Sequence, residues 1–227
     1  MPPWKLLSIA VALSGVCLFS AESGSVTVKA IPAEMHWNVP PASFSVKGDN
    51  ALEIVAPRMT DRFTSPLDDT RTHSAPWLLF DSSSDFVMSA RVDVDFRSFW
   101  DAGVLVIRVD DLHWAKLCFE YSTKRQPTIV SVVTRGISDD ANAIPVEGHT
   151  ACLQVARLGQ GFVFYASKDC SAWQVIRAFT LTDSAWQSPA KLQVGFASQS
   201  PSGEGCRTVF SAIRYRAGRV KDWARGE

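Results

Sequence analysis

One pattern recurs ten times along this chain and constrains its fold more than any other feature. It is a short run rich in Val, Ile, Phe and Tyr, bounded by turn chemistry. The runs are Ala51–Pro57, Asp85–Phe96, Ala102–Asp110, His113–Ser122, Thr128–Gly136, Ala151–Gly159, Phe162–Asp169, Trp173–Leu181, Lys191–Ser200 and Cys206–Tyr215. β-branched and aromatic residues suit a pleated, half-buried surface, so each run predicts a strand. "DDL" joins two of the strands, "LGQG" closes a hairpin, and "SPSGEG" is a loop. No segment sustains a helical period. Many short strands with antiparallel-type links predict an all-β domain, either a β-sandwich of two antiparallel sheets or a jelly roll. The longest piece without a pattern, Arg58–Pro76, is a candidate rim or lid, because long loops in compact domains usually carry function.

The ends of the chain read differently. Lys5 precedes an apolar stretch from Leu6 to Phe19, and Ala21 and Ser23 form a small-residue cleavage pair. The stretch is too short for a membrane span of about 20 residues, so residues 1–23 predict a cleaved signal peptide and a secreted or periplasmic protein without an integral span. Residues 24–34 read as a short linker, 35–216 as the domain, and 217–227 as a polar, solvated tail. Four cysteines then remain: Cys118, Cys152, Cys170 and Cys206. They allow two disulfides in three pairings. Loop location favours Cys170 with Cys206, and the strand cysteines read as buried thiols.

The segments "HWNVPPASFSV", "TDRF", "DFVMSARVDV", "DAGVLVIRVDDLHWAKLCFEYS", "IVSVVTRGISDD" and "YASKDCSAWQVIR" resemble, in this order, the domain-of-unknown-function 1349 family. The resemblance runs from about His36 to Tyr215. It implies a concanavalin A-like jelly roll, the fold of many lectins and glucanases, and it implies no settled activity. A turn that reads S-x-D-G-x-x-W in such proteins is "SKDCSAW" here. Cys170 therefore stands in the glycine place, which implies a disulfide in exchange for glycine's conformational freedom. Asp169 is expected to bond backbone amides in that turn, with Trp173 packed beneath the hairpin.

In "HWAKLCFEYS", alternate residues Ala115, Leu117, Phe119 and Tyr121 suit a core, while Trp114, Lys116, Cys118, Glu120 and Ser122 share the other face. In a jelly roll of this kind the concave sheet face commonly receives a saccharide. Trp114, Lys116 and Glu120 then make the candidate binding row. Arg108 from the preceding strand, Thr134 and Gln154 from later ones, and Asp61, Asp139 and Asp140 from loops are candidate additions. An indole stacks on a pyranose, and charged groups bond its hydroxyls. An ordinary ion pair between Lys116 and Glu120 is the plain alternative.

Three functions stay open: a lectin-like domain that binds oligo- or polysaccharide, a structural or protein-interaction domain, and a glycan-active hydrolase or lyase. Glycoside hydrolysis generally takes two carboxylates. The row Lys116-x-Cys118-x-Glu120 offers one where laminarinase-like glucanases carry E-x-D-x-E. An enzyme would therefore use Glu120 as acid/base with Asp61 or Asp139. Asp139 with Asp140 also allows Ca²⁺, though two adjacent acids are few for an ion wanting six to eight oxygens; otherwise no cofactor is indicated. A net charge of +0 gives no reason to expect nucleic acid. Nothing bears on oligomeric state.

Overall fold

The computed structural model describes residues 24–181 and 192–227. The expected signal segment, 1–23, lies outside the described residues, as does Lys191 at the head of one expected strand. Every regular element described is a strand. In chain order these are β1 (His36–Trp37), β2 (Ser43–Lys47), β3 (Ala51–Pro57), β4 (Arg62–Thr64), β5 (Arg71–His73), β6 (Trp77–Asp81), β7 (Phe86–Val94) and β8 (Ala102–Arg108). They continue with β9 (His113–Tyr121), β10 (Pro127–Arg135), β11 (Ile137–Pro145), β12 (Thr150–Leu158), β13 (Gly161–Ser167), β14 (Gln174–Thr180), β15 (Gln193–Gln199) and β16 (Gly205–Ala217).

Two seven-stranded antiparallel sheets form the jelly-roll sandwich. One runs β1-β6-β15-β8-β9-β10-β11 and the other β14-β13-β12-β7-β16-β3-β2. All ten expected strands are present. The additional ones escape a periodicity reading for separate reasons. In β6, four consecutive buried residues hide any alternation. β11, "ISDDANAIP", is polar, which an edge strand with a single neighbour tolerates. β4 and β5 are three residues each and form a small hairpin inside the expected loop Arg58–Pro76.

Alternation decides the two sides of β9. Ala115, Leu117 and Phe119 join the main core between the sheets. Trp114 and Cys118 belong to a second apolar cluster on the face turned away from the other sheet, with Trp77, Val132 and Ala75. Both ends of the described chain make packing contacts. Residues 24–34 are packed: Val26, Val28 and Ile31 enter the main core, and Val26 bridges Met35. The tail lies against the outer face of the second sheet. There Val220 is buried, Tyr165 Oη donates to the Trp223 carbonyl at 2.8 Å, and Gln154 Nε2 donates to the Gly226 carbonyl at 2.9 Å.

The disulfide joins Cys152 and Cys170, with Cα atoms 5.2 Å apart, and not Cys170 and Cys206. Cys118 and Cys206 are buried free thiols, and burial pushes Cys206 up to about 12. Cys170 has φ 61°, the left-handed conformation the glycine place demands. Asp169 Oδ1 accepts from the Ser171 and Ala172 amides at 2.9 and 3.0 Å, and Trp173 packs against the cluster of Ala156, Val163, Tyr165 and Val220. The bond ties this turn to β12 across 18 residues. Replacing both cysteines by Ala is expected to cost about 3 kcal/mol, read as a lower urea midpoint. A midpoint unmoved by the double substitution would contradict it.

Candidate functional site

The face of the first sheet turned away from the second carries a cleft of about 520 Å³. Strand register explains who lines it. On β9, Lys116 stands opposite Val132 of β10, and Val132 stands opposite Asp140 of β11. One row of the pleat therefore sends Lys116 and Asp140 to the same side. Four residues along β9, Glu120 stands opposite Ala102 of β8, which faces Gln199 of β15. The connection from β3 to β4 brings Asp61 over this floor. Met59, Phe63 and Trp100 form an apolar rim.

Lys116 is buried and donates to Asp61 Oδ1 at 3.2 Å and Gln199 Oε1 at 3.0 Å. Burial works against its charge, yet the surrounding acids, Asp61 foremost, outweigh it and its pKa is raised. Glu120 is only 8% exposed and makes no hydrogen bond among the described residues. Burial pushes its carboxyl up to about 8; Lys116 pulls it down, and Asp140 and Asp61 push it up again. Near neutral pH it is therefore a protonated acid that can donate a hydrogen bond. Burial raises Asp140 as well.

Trp100 is 43% exposed, with φ 68°; Met59, also on the rim, has φ 54°. Non-glycine residues in the left-handed region cost energy and cluster at functional sites. The Trp100 amide donates to the Tyr121 carbonyl at 2.7 Å, and its own carbonyl accepts from Gln199 Nε2 at 3.2 Å. The ring thus stands at the mouth on a fixed backbone.

Several expected residues lie elsewhere. Trp114 is fully buried and lines no part of the cleft, because the β4–β5 hairpin lies over it. Its indole meets Trp77 edge-on at 5.6 Å, and the Arg62 guanidinium sits 4.6 Å from the Trp77 ring and 5.7 Å from the Trp114 ring. Thr134 is sealed beside it, bonded to Ser138 Oγ at 2.8 Å, which in turn accepts the Thr64 amide at 3.0 Å. Arg108 bonds Gln193 and Asp111 away from the cleft. Gln154 is on the other sheet. Asp139 points to the opposite face from Asp140, since it stands opposite core-facing Val133 and pairs with Arg177 at 2.7 Å. A single step along a strand reverses the face. Asp139 and Asp140 therefore do not converge on one ion, and among the described residues no group of three or more His, Cys, Asp or Glu could hold a metal. Gln199, Phe63 and Trp100 carry no motif that would mark them as lining residues in the sequence.

No described helix is long and apolar enough to cross a membrane, and the disulfide is consistent with an oxidising compartment.

The family model described as "Protein of unknown function (DUF1349)" matches residues 37–217. No curated protein matches the chain. A solved, functionally unknown protein from Saccharomyces cerevisiae is 22% identical, with 82% of this chain and 97% of that one covered and a TM-score of 0.72. A GH43 protein, BlXynB mutant K247S from Bacillus licheniformis, is 18% identical, with 81% and 37% covered and a TM-score of 0.60. A xylan beta-1,4-xylosidase from Bacillus halodurans C-125 is 21% identical, with 73% and 32% covered and a TM-score of 0.56. The chain thus spans about a third of those two Bacillus chains, and the likeness is one of fold.

Proposed function

We propose that the chain, which belongs to the DUF1349 family of proteins of unknown function, is an exported, non-catalytic, lectin-like domain whose cleft binds a short saccharide. One observation carries this reading. A polar floor of Lys116, Glu120, Asp61, Asp140 and Gln199 lies beneath a rim bearing an exposed, rigidly held Trp100. Specific small-ligand sites are clefts of roughly 300–1,000 Å³ with a few convergent polar groups among apolar ones. In this reading Trp100, not Trp114, is the stacking plate. Lys116 holds Asp61 and Gln199 in place, and the protonated Glu120 donates to a hydroxyl.

Calorimetric titration with neutral and charged oligosaccharides tests it. Trp100→Ala is expected to weaken binding about tenfold, the worth of an aromatic contact, with little change in melting temperature because the ring is half exposed. Binding by none of the sugars, as a structural or protein-interaction domain would give, removes the proposal. Binding undiminished in Trp100→Ala removes this site.

The glycan-active reading is favoured by one feature, a buried carboxyl raised to about 8 in company with other acids. That is the profile of a general acid. Asp61 is already held by Lys116, so Asp140 would be its partner. Release of reducing sugar, abolished in Glu120→Gln, would establish it; release unchanged in that variant would dismiss the assignment.

A further inference from the structure

The cleft has a marked charge imbalance. Among the described residues, Asp61, Asp68, Glu120 and Asp140 line it against one cation, Lys116. Lys116 donates two of its three N–H bonds to Asp61 and Gln199. The neighbouring Arg62 and Arg108 are both tied to Asp111 outside the cleft, at 2.7 and 2.9 Å. Among the described residues that line the cleft, no second cation stands beside Lys116 to receive a carboxylate or sulfate. Glu120 and Asp140, by contrast, make no salt bridge among the described residues. Glu120 is more than nine-tenths buried, lines the cleft and has no hydrogen-bond partner among the described residues. Asp140 lines the cleft without a salt bridge among the described residues.

We propose that this cleft selects saccharides bearing a free primary amine, that is, amino sugars, over neutral or acidic ones. The inference rests on the saccharide reading above. An ammonium has three donors and no acceptor. Seated at Glu120 it makes charge-assisted hydrogen bonds to that carboxylate, Asp140, Asp61 and Asp68 on the same walls add negative charge around it, and Trp100 at the rim offers an aromatic face to the cation. An N-acetyl group removes the charge; a uronate adds a charge of the wrong sign. The proton count is definite. An ammonium beside Glu120 favours its ionised form, so the carboxyl releases its proton to buffer as the amine binds. The groups facing Glu120 are Lys116 and Cys118 on β9, Asp140 on β11 and Asp61 from the β3–β4 connection; of these only Lys116 carries positive charge.

The test is calorimetry on the full chain near pH 6.5, below the Glu120 value, in two buffers of different ionisation enthalpy. The probes are a glucosamine tetramer, its fully N-acetylated counterpart, a xylose tetramer, a galacturonate tetramer and spermidine. The glucosamine tetramer is expected to bind at least about tenfold more tightly than the others, as a charge-assisted contact predicts. Its apparent enthalpy should shift between buffers in proportion to a released proton. Glu120→Gln should abolish that proton release, and Asp140→Asn should narrow the preference to about twofold. Equal or tighter binding of a neutral or acidic tetramer, still sensitive to Trp100→Ala, overturns the amine preference and leaves the saccharide reading standing. Spermidine binding as tightly as the sugar, or a preference untouched by both acid variants, also overturns it. No binding by any probe overturns both.

Discussion

Trp114→Ala is expected to cost about 3–5 kcal/mol, the range for removing a large buried aromatic. At roughly 2–4 °C per kcal/mol for a domain of this size, the melting temperature should fall by roughly 6–20 °C. The indole is fully buried and meets Trp77 edge-on at 5.6 Å. Above this pair lies Arg62, held by Asp111 at 2.7 Å, with its guanidinium against both rings. Arg108 and Arg62 together hold the Asp111 carboxyl down to about 2, so the clamp on Arg62 stays charged at every ordinary pH. Removing the indole leaves a void beneath the hairpin and takes one of the two aromatic faces from Arg62. Trp114→Phe keeps most of the volume and should cost about 1–2 kcal/mol. A Trp114→Ala variant that melts with the parent would show that this ring is not the plug described here.

The second large effect is on pH dependence. Glu120 has a folded value of about 8 against an ordinary 4.5. For an acid raised on folding, the contribution to stability is complete below about 4.5 and is lost as pH rises to about 8, because over that window the unfolded chain has released its proton while the folded chain must keep its own or bury a charge. Asp140 is shifted in the same direction. Lys116 opposes the loss but does not reverse it. Between about pH 5 and pH 9 the parent is expected to lose on the order of 3 kcal/mol relative to Glu120→Gln, whose amide does not titrate. Chemical denaturation of both proteins across this window reads the difference directly. A constant gap between the two curves would mean that Glu120 ionises as freely in the fold as outside it.

The alternation of β9 was legible in the chain itself, and with it the fact that Trp114, Lys116 and Glu120 share a face. Period two is a property of local geometry, so residues alone carry it. So were the ten long strands and the turn at Asp169, where a short side chain bonds its own backbone. The resemblance to a family carried the layered architecture. The glycine place held by Cys170 pointed to a disulfide without naming its partner. Cys152 lies on a strand, and loop location, the basis for preferring Cys206, says nothing about which strand passes beneath a turn.

What a face looks out on is not a local property. Trp114 reads as a platform until a hairpin of two three-residue strands, too short to show a period, is laid over it by tertiary packing. Asp139 and Asp140 are chemically equivalent in the sequence, and the pairing of β11 with β10 sends one into the cleft and the other to Arg177. Gln199 and Lys116 meet across 83 residues of chain. Local pattern thus determined which side chains share a surface. Only long-range pairing and packing decided which surface stays open, because burial is settled by what arrives from elsewhere in the chain.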